Sequence, residues 1–325
     1  MFRSFRKDLV DSLFPPAVLR KSWFLAGPTA CGKTATSLEL ARRLNAEIIS
    51  LDSMAIYRGM DIGTAKPGPD ERHGIPHHLI DVADPQQDFS VAEFVQMAHA
   101  AAVGILSRDR TPLFVGGTGL YLRSILRGIF EGPEADWEFR RLQEQRVQQE
   151  GSLVLHEELR RCDPVTAERL HANDVRRVIR ALEVFHLTGQ PLSQSQTHQP
   201  RPAADRPVIV AWLESERDWL HQRINQRVDA MMQAGLLEEV RSLWTMQPAI
   251  GRTARQALGY RELFDHFDGV ATLPEAVTAI KAGTRQFAKR QHTWFRHLEE
   301  CVAIPVLADD NASTICDRLV HACEI

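Results

Sequence analysis

The 325-residue sequence predicts an α/β fold, a parallel sheet covered by helices, interrupted by a helical insertion and followed by additional C-terminal helices. Three observations predict it. A glycine-containing loop ending in Gly-Lys-Thr lies between an apolar strand and a helix. Strand and helix signals alternate from about residue 22 to 132, as in sheets covered on both faces. After Gly132 the signals turn helical only, until an apolar run returns at Val208.

In order along the chain, Trp23–Ala26 is the opening strand, and a helix runs from about Lys33 to Leu44. Further strands are expected at Glu47–Leu51 and His78–Val82. Ser90 and Glu93 form a capping box, each side chain taking a backbone N–H, for a helix reaching about Ser107. Pro112–Val115 is a short strand closed by Gly116-Gly117, with a helix from near Thr118. Between Asp136 and Gly189 lie a helix start at Asp163-Pro164 and an arginine-rich helix from about Val175 to Leu187. Gln190–Pro207, rich in Pro, Gln and Ser, reads as a linker. Val208–Leu213 is a returning buried strand, helices follow to about Leu298, and Val302–Val306 is a last short strand. These readings assign an N-terminal extension to 1–21, the first part of the core to 22–132, the insertion to 133–207 and the remainder to 208–325.

Composition excludes several classes. With 44% hydrophobic and 25% charged residues, neither large-scale disorder nor collagen-like repetition is indicated. No apolar run approaches the ~20 residues of a membrane span. The opening MFRSFRKDLVDSLFPP lacks the apolar stretch and cleavage site of a signal peptide. Cytoplasm is the expected compartment and a monomer the expected form. The five cysteines are scattered without a CxxC pair, which argues against a disulfide framework or a zinc site. His73, His77 and His78 also lack the i, i+4 spacing of helical zinc ligands. A net charge of −3 does not advertise nucleic-acid binding, but an RNA enzyme needs only one basic face.

Gly27-Pro28-Thr29-Ala30-Cys31-Gly32-Lys33-Thr34 fits GxxxxGK[ST] at every fixed position, with the strand before it and the helix after it. The glycines let backbone N–H groups curl inward onto phosphate oxygens, and the helix adds its positive end. Lys33 supplies a mobile charge, and the Thr34 hydroxyl is a Mg²⁺ ligand candidate. Such a loop is the nucleotide-binding, ATP-binding element of kinases and many other enzymes, so the core is expected to be P-loop NTPase-like. A Walker-B strand is missing, because Pro112–Val115 runs into Gly116-Gly117-Thr118. Instead Asp52 follows the strand Glu47–Leu51, at the carboxyl edge where ligands of open α/β sheets bind. Taken alone, Asp52 also fits a helix cap and Thr118 the cap of the next helix. Arg223 and Arg227, four apart, also fit a solvated helix face.

Several segments together resemble the tRNA dimethylallyltransferase (isopentenyl-tRNA transferase) family. They are GPTACGKT at 27–34, SLDSMAIYRGMDIGTAKP at 50–67, IPHHLIDVADP at 75–85 and VGGTGLYLRSIL at 115–126. HANDVRRVIRALEVFHLTGQ at 171–190, ARQALGYREL at 254–263 and TRQFAKRQHTWFR at 284–296 complete the ordered set. The departures are Cys31 where serine is commoner and the N-terminal extension.

The resemblance implies transfer of a dimethylallyl group from its diphosphate to the exocyclic amine of an adenine beside the anticodon of tRNA. The P-loop would then hold a leaving group, with Lys33, the loop amides and Mg²⁺ on Thr34 meeting the charge that develops there. Asp52 matches the family's general base. Thr118 would hydrogen-bond near the reacting atoms, and Arg223 or Arg227 would reach the pyrophosphate. By resemblance Asp52, Ser53, Met54, Ala55, Arg140, Arg176, Arg177, Val178, Ile179, Arg180, Gln256, Ala257, Leu258, Gly259, Tyr260 and Arg261 would contact the tRNA anticodon stem-loop. Lys281–His297 is basic, with no acidic residue, and its Phe287, Trp294 and Phe295 are candidates for base stacking or for burial. Competing readings are an adenylate isopentenyltransferase acting on free AMP or ADP, a P-loop small-molecule kinase, and a non-catalytic RNA-binding protein. The insertion and the basic C-terminal helices favour tRNA over the free nucleotide.

Overall fold

Short strands, buried on both sides except at the two sheet edges, build the sheet of the first unit. In the computed structural model, which describes residues 14–128, 132–195 and 200–323, these are β1 (Trp23–Ala26), β2 (Ala46–Leu51), β3 (His77–His78), β4 (Thr111–Gly116), β5 (Ile209–Ser215) and β6 (Cys301–Val306). All pair in parallel, in the order β3-β2-β4-β1-β5-β6. The helices before the insertion are α1 (Pro16–Leu19), α2 (Lys33–Arg43), α3 (Val91–Leu106) and α4 (Gly119–Arg127). α5 (Trp137–Glu150), α6 (Ser152–Cys162), α7 (Pro164–Arg169), α8 (Val175–Thr188) and α9 (Leu192–Ser195) follow. After β5 come α10 (Arg217–Gln233), α11 (Leu236–Trp244), α12 (Arg252–Arg255), α13 (Tyr260–Phe267) and α14 (Leu273–Arg296), with α15 (Ala312–His321) last.

Side chains alternate across a strand, so each strand feeds two cores. Phe24, Phe114, Ile49 and Trp212 face α3, α4 and the end of α14. Leu25, Leu113, Ile48 and Leu213 face α2, α10 and α15. A third cluster joins Ile56, Tyr57 and Met60, after β2, to α11, α13 and α14. The expected capping box is present: the Ser90 hydroxyl accepts the Glu93 N–H, and Glu93 accepts the Ser90 N–H.

The chain divides into two compact units, Met1–Gly128 with Pro200–Ile325 and Ile129–Gln199. Residues 200–207, read as linker, group with the first unit because Arg201 Nε donates to the Leu126 carbonyl at 2.8 Å. Val208 N–H likewise donates to Ser22 O at 3.1 Å. The second unit has its own core of Leu155, Leu159, Val178, Ile179 and Leu182.

Two expectations change. The third strand is His77–His78 rather than His78–Val82, because Leu79 and Asp81 take positive φ values of 62° and 57° that break the extended run. The N-terminal extension 1–21 lies outside the described residues up to position 13. Beyond it Phe14, Val18 and Leu19 join the core, with Phe14 1% exposed and edge-on to Phe114 at 5.8 Å. Phe14→Ala should therefore lower unfolding free energy by about 3 kcal/mol, measured by urea denaturation. A loss below about 0.5 kcal/mol would show that the segment is merely appended.

Candidate active site

The ladder registers line up three loop starts. Ala26 of β1 pairs with Gly116 of β4, and Gly116 pairs with Leu51 of β2. Gly27, Gly117 and Asp52 are thus the first residues past one rung, and the outer two are about 10 Å apart at two strand spacings. The loops beyond them line a cavity of about 1030 Å³, together with α10, residues 256–261 and one face of α14.

The phosphate loop has the expected form. Gly32 precedes α2 at φ +99°, a left-handed conformation that side chains resist. Lys33 Nζ donates to the carbonyls of Gly27 (2.9 Å) and Pro28 (2.6 Å), folding back on its own loop. Desolvation lowers the pKa of this ammonium, with Arg227 adding to the effect and Cys31 and Asp52 opposing it. Thr34 lies in the first turn of α2, exposed to the cavity. The Cys31 side chain is buried, so at this position the loop offers a ligand its backbone.

Arg223 and Arg227 both reach the loop from α10. Arg223 Nε donates to Ala30 O at 2.9 Å, and Arg227 Nη1 to Thr29 Oγ1 at 3.4 Å. Arg227 is the more enclosed: desolvation lowers its pKa and Asp52 opposes this, although a guanidinium stays charged. The guanidinium of Arg223 lies over the Trp219 ring.

Asp52 Oδ1 accepts the N–H groups of Met54 (2.8 Å) and Ala55 (3.2 Å). The carboxylate therefore caps a turn, with no helix following it, and also lines the cavity. Those amides fix its orientation through one oxygen and leave Oδ2 outside that pair of bonds. Thr118 precedes α4 but makes no side-chain cap; its Oγ1 accepts the Ser53 N–H at 3.1 Å. It ties the Asp52 loop to the Gly116–Thr118 loop.

The family model for IPP transferase matches residues 55–298. The chain belongs to the IPP transferase family. It is 48% identical to the tRNA dimethylallyltransferase of Shouchella clausii over 92% of this chain and 95% of that one. With the enzyme of the same name from Bacillus subtilis it shares 47%, covering 84% and 87%. Among solved structures, the full-length tRNA isopentenylpyrophosphate transferase of Bacillus halodurans superposes with a TM-score of 0.67 at 40% identity, covering 94% and 97%. A eukaryotic dimethylallyltransferase acting on tRNA gives 0.73 at 28% identity, covering 93% and 80%.

The residues expected at RNA in this IPP transferase fall into two places. Asp52–Ala55 and Gln256–Arg261 line the cavity beside the phosphate loop, although the side chains of Ala55, Ala257 and Tyr260 are buried. Arg140 and Arg176–Arg180 belong to the second unit. There Arg140 makes two bonds of 2.8 Å to Glu183, which is fully buried, and Arg180 donates to the same carboxylate. Val178 and Ile179 are 1% and 3% exposed and belong to the core of the second unit. Arg176 and Arg177 are exposed. Of the aromatic candidates, Phe295 is 1% exposed against Trp212 and is core, whereas Phe287 is exposed and lines the cavity. His78 pairs with Glu47 at 2.7 Å, and His77 with the Ile75 carbonyl.

Sequence reasoning missed two carboxylates and an amide. Glu239 accepts the N–H groups of Asp61, Ile62 and Gly63 and the Tyr260 hydroxyl, holding the loop after Asp52 against α13. Burial and that carboxylate push the Tyr260 phenol well up. Glu183 and Gln291 are the others; none of the three belongs to a short motif with a stated mechanism. Burial raises the Glu183 pKa, but the bonds from Arg140 and Arg180 outweigh it and hold the carboxyl below the usual range. Its stabilisation is therefore complete above the ordinary glutamate value of ~4.3 and is lost as pH falls through the depressed folded value. Glu183→Gln should cost the second unit about 3 kcal/mol at neutral pH and remove that acid dependence. Hydrogen exchange in α5 and α8 at several pH values measures both.

Proposed function

We propose that this IPP transferase moves a dimethylallyl group from dimethylallyl diphosphate to the exocyclic amine of an adenine in the tRNA anticodon loop, releasing diphosphate. The observation that carries the reading is that the glycine loop and Asp52 start from the same rung of the sheet and line one cavity, in a chain whose relatives are named for that reaction. Its cationic groups support a diphosphate ligand, since Lys33, Arg223 and Arg227 all hydrogen-bond the loop or its neighbours.

Breaking the allylic C–O bond puts negative charge on diphosphate. Lys33 exchanges its two loop carbonyls for diphosphate oxygens, and the loop amides and Arg227 meet the same charge. The cavity lining includes the Thr34 hydroxyl, an oxygen donor of the kind that would hold Mg²⁺. Mg²⁺ takes few protein ligands and keeps waters and phosphate oxygens. Held by Thr34, it supplies charge neutralisation at the leaving group.

The adenine amine is a weak nucleophile because its lone pair is delocalised into the ring. As its nitrogen bonds to the allylic carbon, one amine proton passes to the Asp52 carboxylate, whose orientation the Met54 and Ala55 amides fix. Thr118 holds the Ser53 segment in place beside it. An adenine must leave its loop stack to reach this cavity. Phe287 and Arg290 at the cavity lining suit a splayed base and its phosphate.

The test is nucleoside mass spectrometry of unmodified tRNA incubated with protein, Mg²⁺ and dimethylallyl diphosphate. Isopentenyl-adenosine should form, and Asp52→Asn should slow it by roughly 10²- to 10⁴-fold. Prenylated AMP in a parallel reaction with none in tRNA, or a phosphorylated product with ATP, would overturn the reading.

A further inference from the structure

Gln291 is 6% exposed, on α14, and belongs to neither the phosphate loop nor the strand edge. Its Oε1 accepts the Thr29 N–H at 3.0 Å, and its Nε2 donates to the Gly117 carbonyl at 2.9 Å. The amide orientation is fixed by its partners, since the reverse would set N–H against N–H and oxygen against oxygen. Only a glutamine of this length offers an acceptor and a donor on that one end; glutamate loses the donor, and asparagine is a methylene short.

The helix is held on both sides of it. Ala288, three residues before, belongs to the core on one sheet face, and Phe295, four after, to the core on the other. Gly117 has no side chain where Gln291 passes: a Cβ there would lie 2.2 Å from Nε2.

We propose that Gln291 is a positioning residue that registers the phosphate loop against the general base. The path is continuous. Gln291 ties Thr29 to Gly117, the next residue Thr118 ties to Ser53, and Ser53 adjoins Asp52. The sheet spaces the loop starts, but the loops beyond it touch through these two side chains. The inference rests on the proposed function, because it sets diphosphate against the proton acceptor. Loss of Gln291 leaves both halves of the site intact and shifts one relative to the other.

The experiment compares Gln291→Met, Gln291→Ala, Gly117→Ala and the Gly117→Ala/Gln291→Ala double variant with the unaltered enzyme, using unmodified tRNA and dimethylallyl diphosphate. Misregistry should lower kcat by roughly 10- to 100-fold in Gln291→Met, with KM for dimethylallyl diphosphate within about threefold. Gly117→Ala should reproduce this by displacing the Gln291 amide. The double variant should be within about threefold of Gln291→Ala, because the 2.2 Å clash disappears with the side chain and only a 3.2 Å approach to the Gly27 carbonyl oxygen remains. Unchanged kcat, a KM that rises in step with the loss, or multiplicative effects in the double variant would overturn the proposal. Unaltered enzyme that forms no prenylated adenosine in the same tubes would instead sink the proposed function. A readout independent of variant folding is hydrogen exchange of the ligand-free, unaltered protein. The Thr29 amide should exchange at least about 100-fold more slowly than an unstructured amide, and unprotected exchange there would overturn the link.

Discussion

The ladder rung joining Ala26, Gly116 and Leu51 comes first in any physical account of this molecule, because three loops of unrelated sequence start from it. Parallel strands present their carboxyl ends on one edge, and β4 lies between β1 and β2. Gly116 permits the close contact: a Cβ there would sit 2.3 Å from the Leu51 carbonyl oxygen. Strand spacing alone therefore sets the start of the glycine loop about 10 Å from the backbone of Asp52, before any side chain chooses a partner. Helices α3 and α4 on one face, and α2, α10 and α15 on the other, keep the edge rigid by burying both sides of the strands.

The electrostatics of the cavity follow from that spacing. An overall formal charge of −3 conceals a local excess of positive groups at the phosphate loop, where Lys33, Arg223 and Arg227 converge. In the ligand-free state these groups spend their hydrogen bonds on loop carbonyls and a hydroxyl, which partly compensates their burial. Desolvation still lowers the pKa values of Lys33 and Arg227, with Asp52 acting in the opposite direction on both. An anion that displaces the carbonyls relieves that penalty.

What was legible in the sequence is what local chemistry dictates. The phosphate loop, Asp52 after an apolar run, the Ser90 capping box and the strand at 23–26 each need only a few neighbouring residues to make sense. The contacts of Gln291 span 262 and 174 residues, and the backbone contacts of Glu239 span 176 to 178, so no short window along the sequence contains both partners. The arginine-rich helix illustrates a subtler limit. Val178 and Ile179 are apolar and Arg176, Arg177 and Arg180 basic, yet one of those arginines and Arg140 are engaged by a buried glutamate that itself reads as an ordinary helix residue. Phe295 was legible as core or as RNA contact, and helix phase decides it: Gln291, four residues earlier, is buried on the same face.

The long-range polar side chains share one physical task. Irregular segments around the cavity carry backbone N–H groups that no neighbouring strand can accept, and buried donors must find partners. Glu239 takes three of them after β2, Gln291 takes one in the phosphate loop, and Asp52 takes two of its own turn. An apolar residue of equal volume would pack as well at these positions and leave the donors unpaired. Polar groups in such places add little net stability but select one loop conformation among many. A cavity lined by irregular loops with so many backbone N–H groups cannot be closed by apolar packing alone. Its shape therefore depends on a few carboxylates and an amide anchored in the helices behind it.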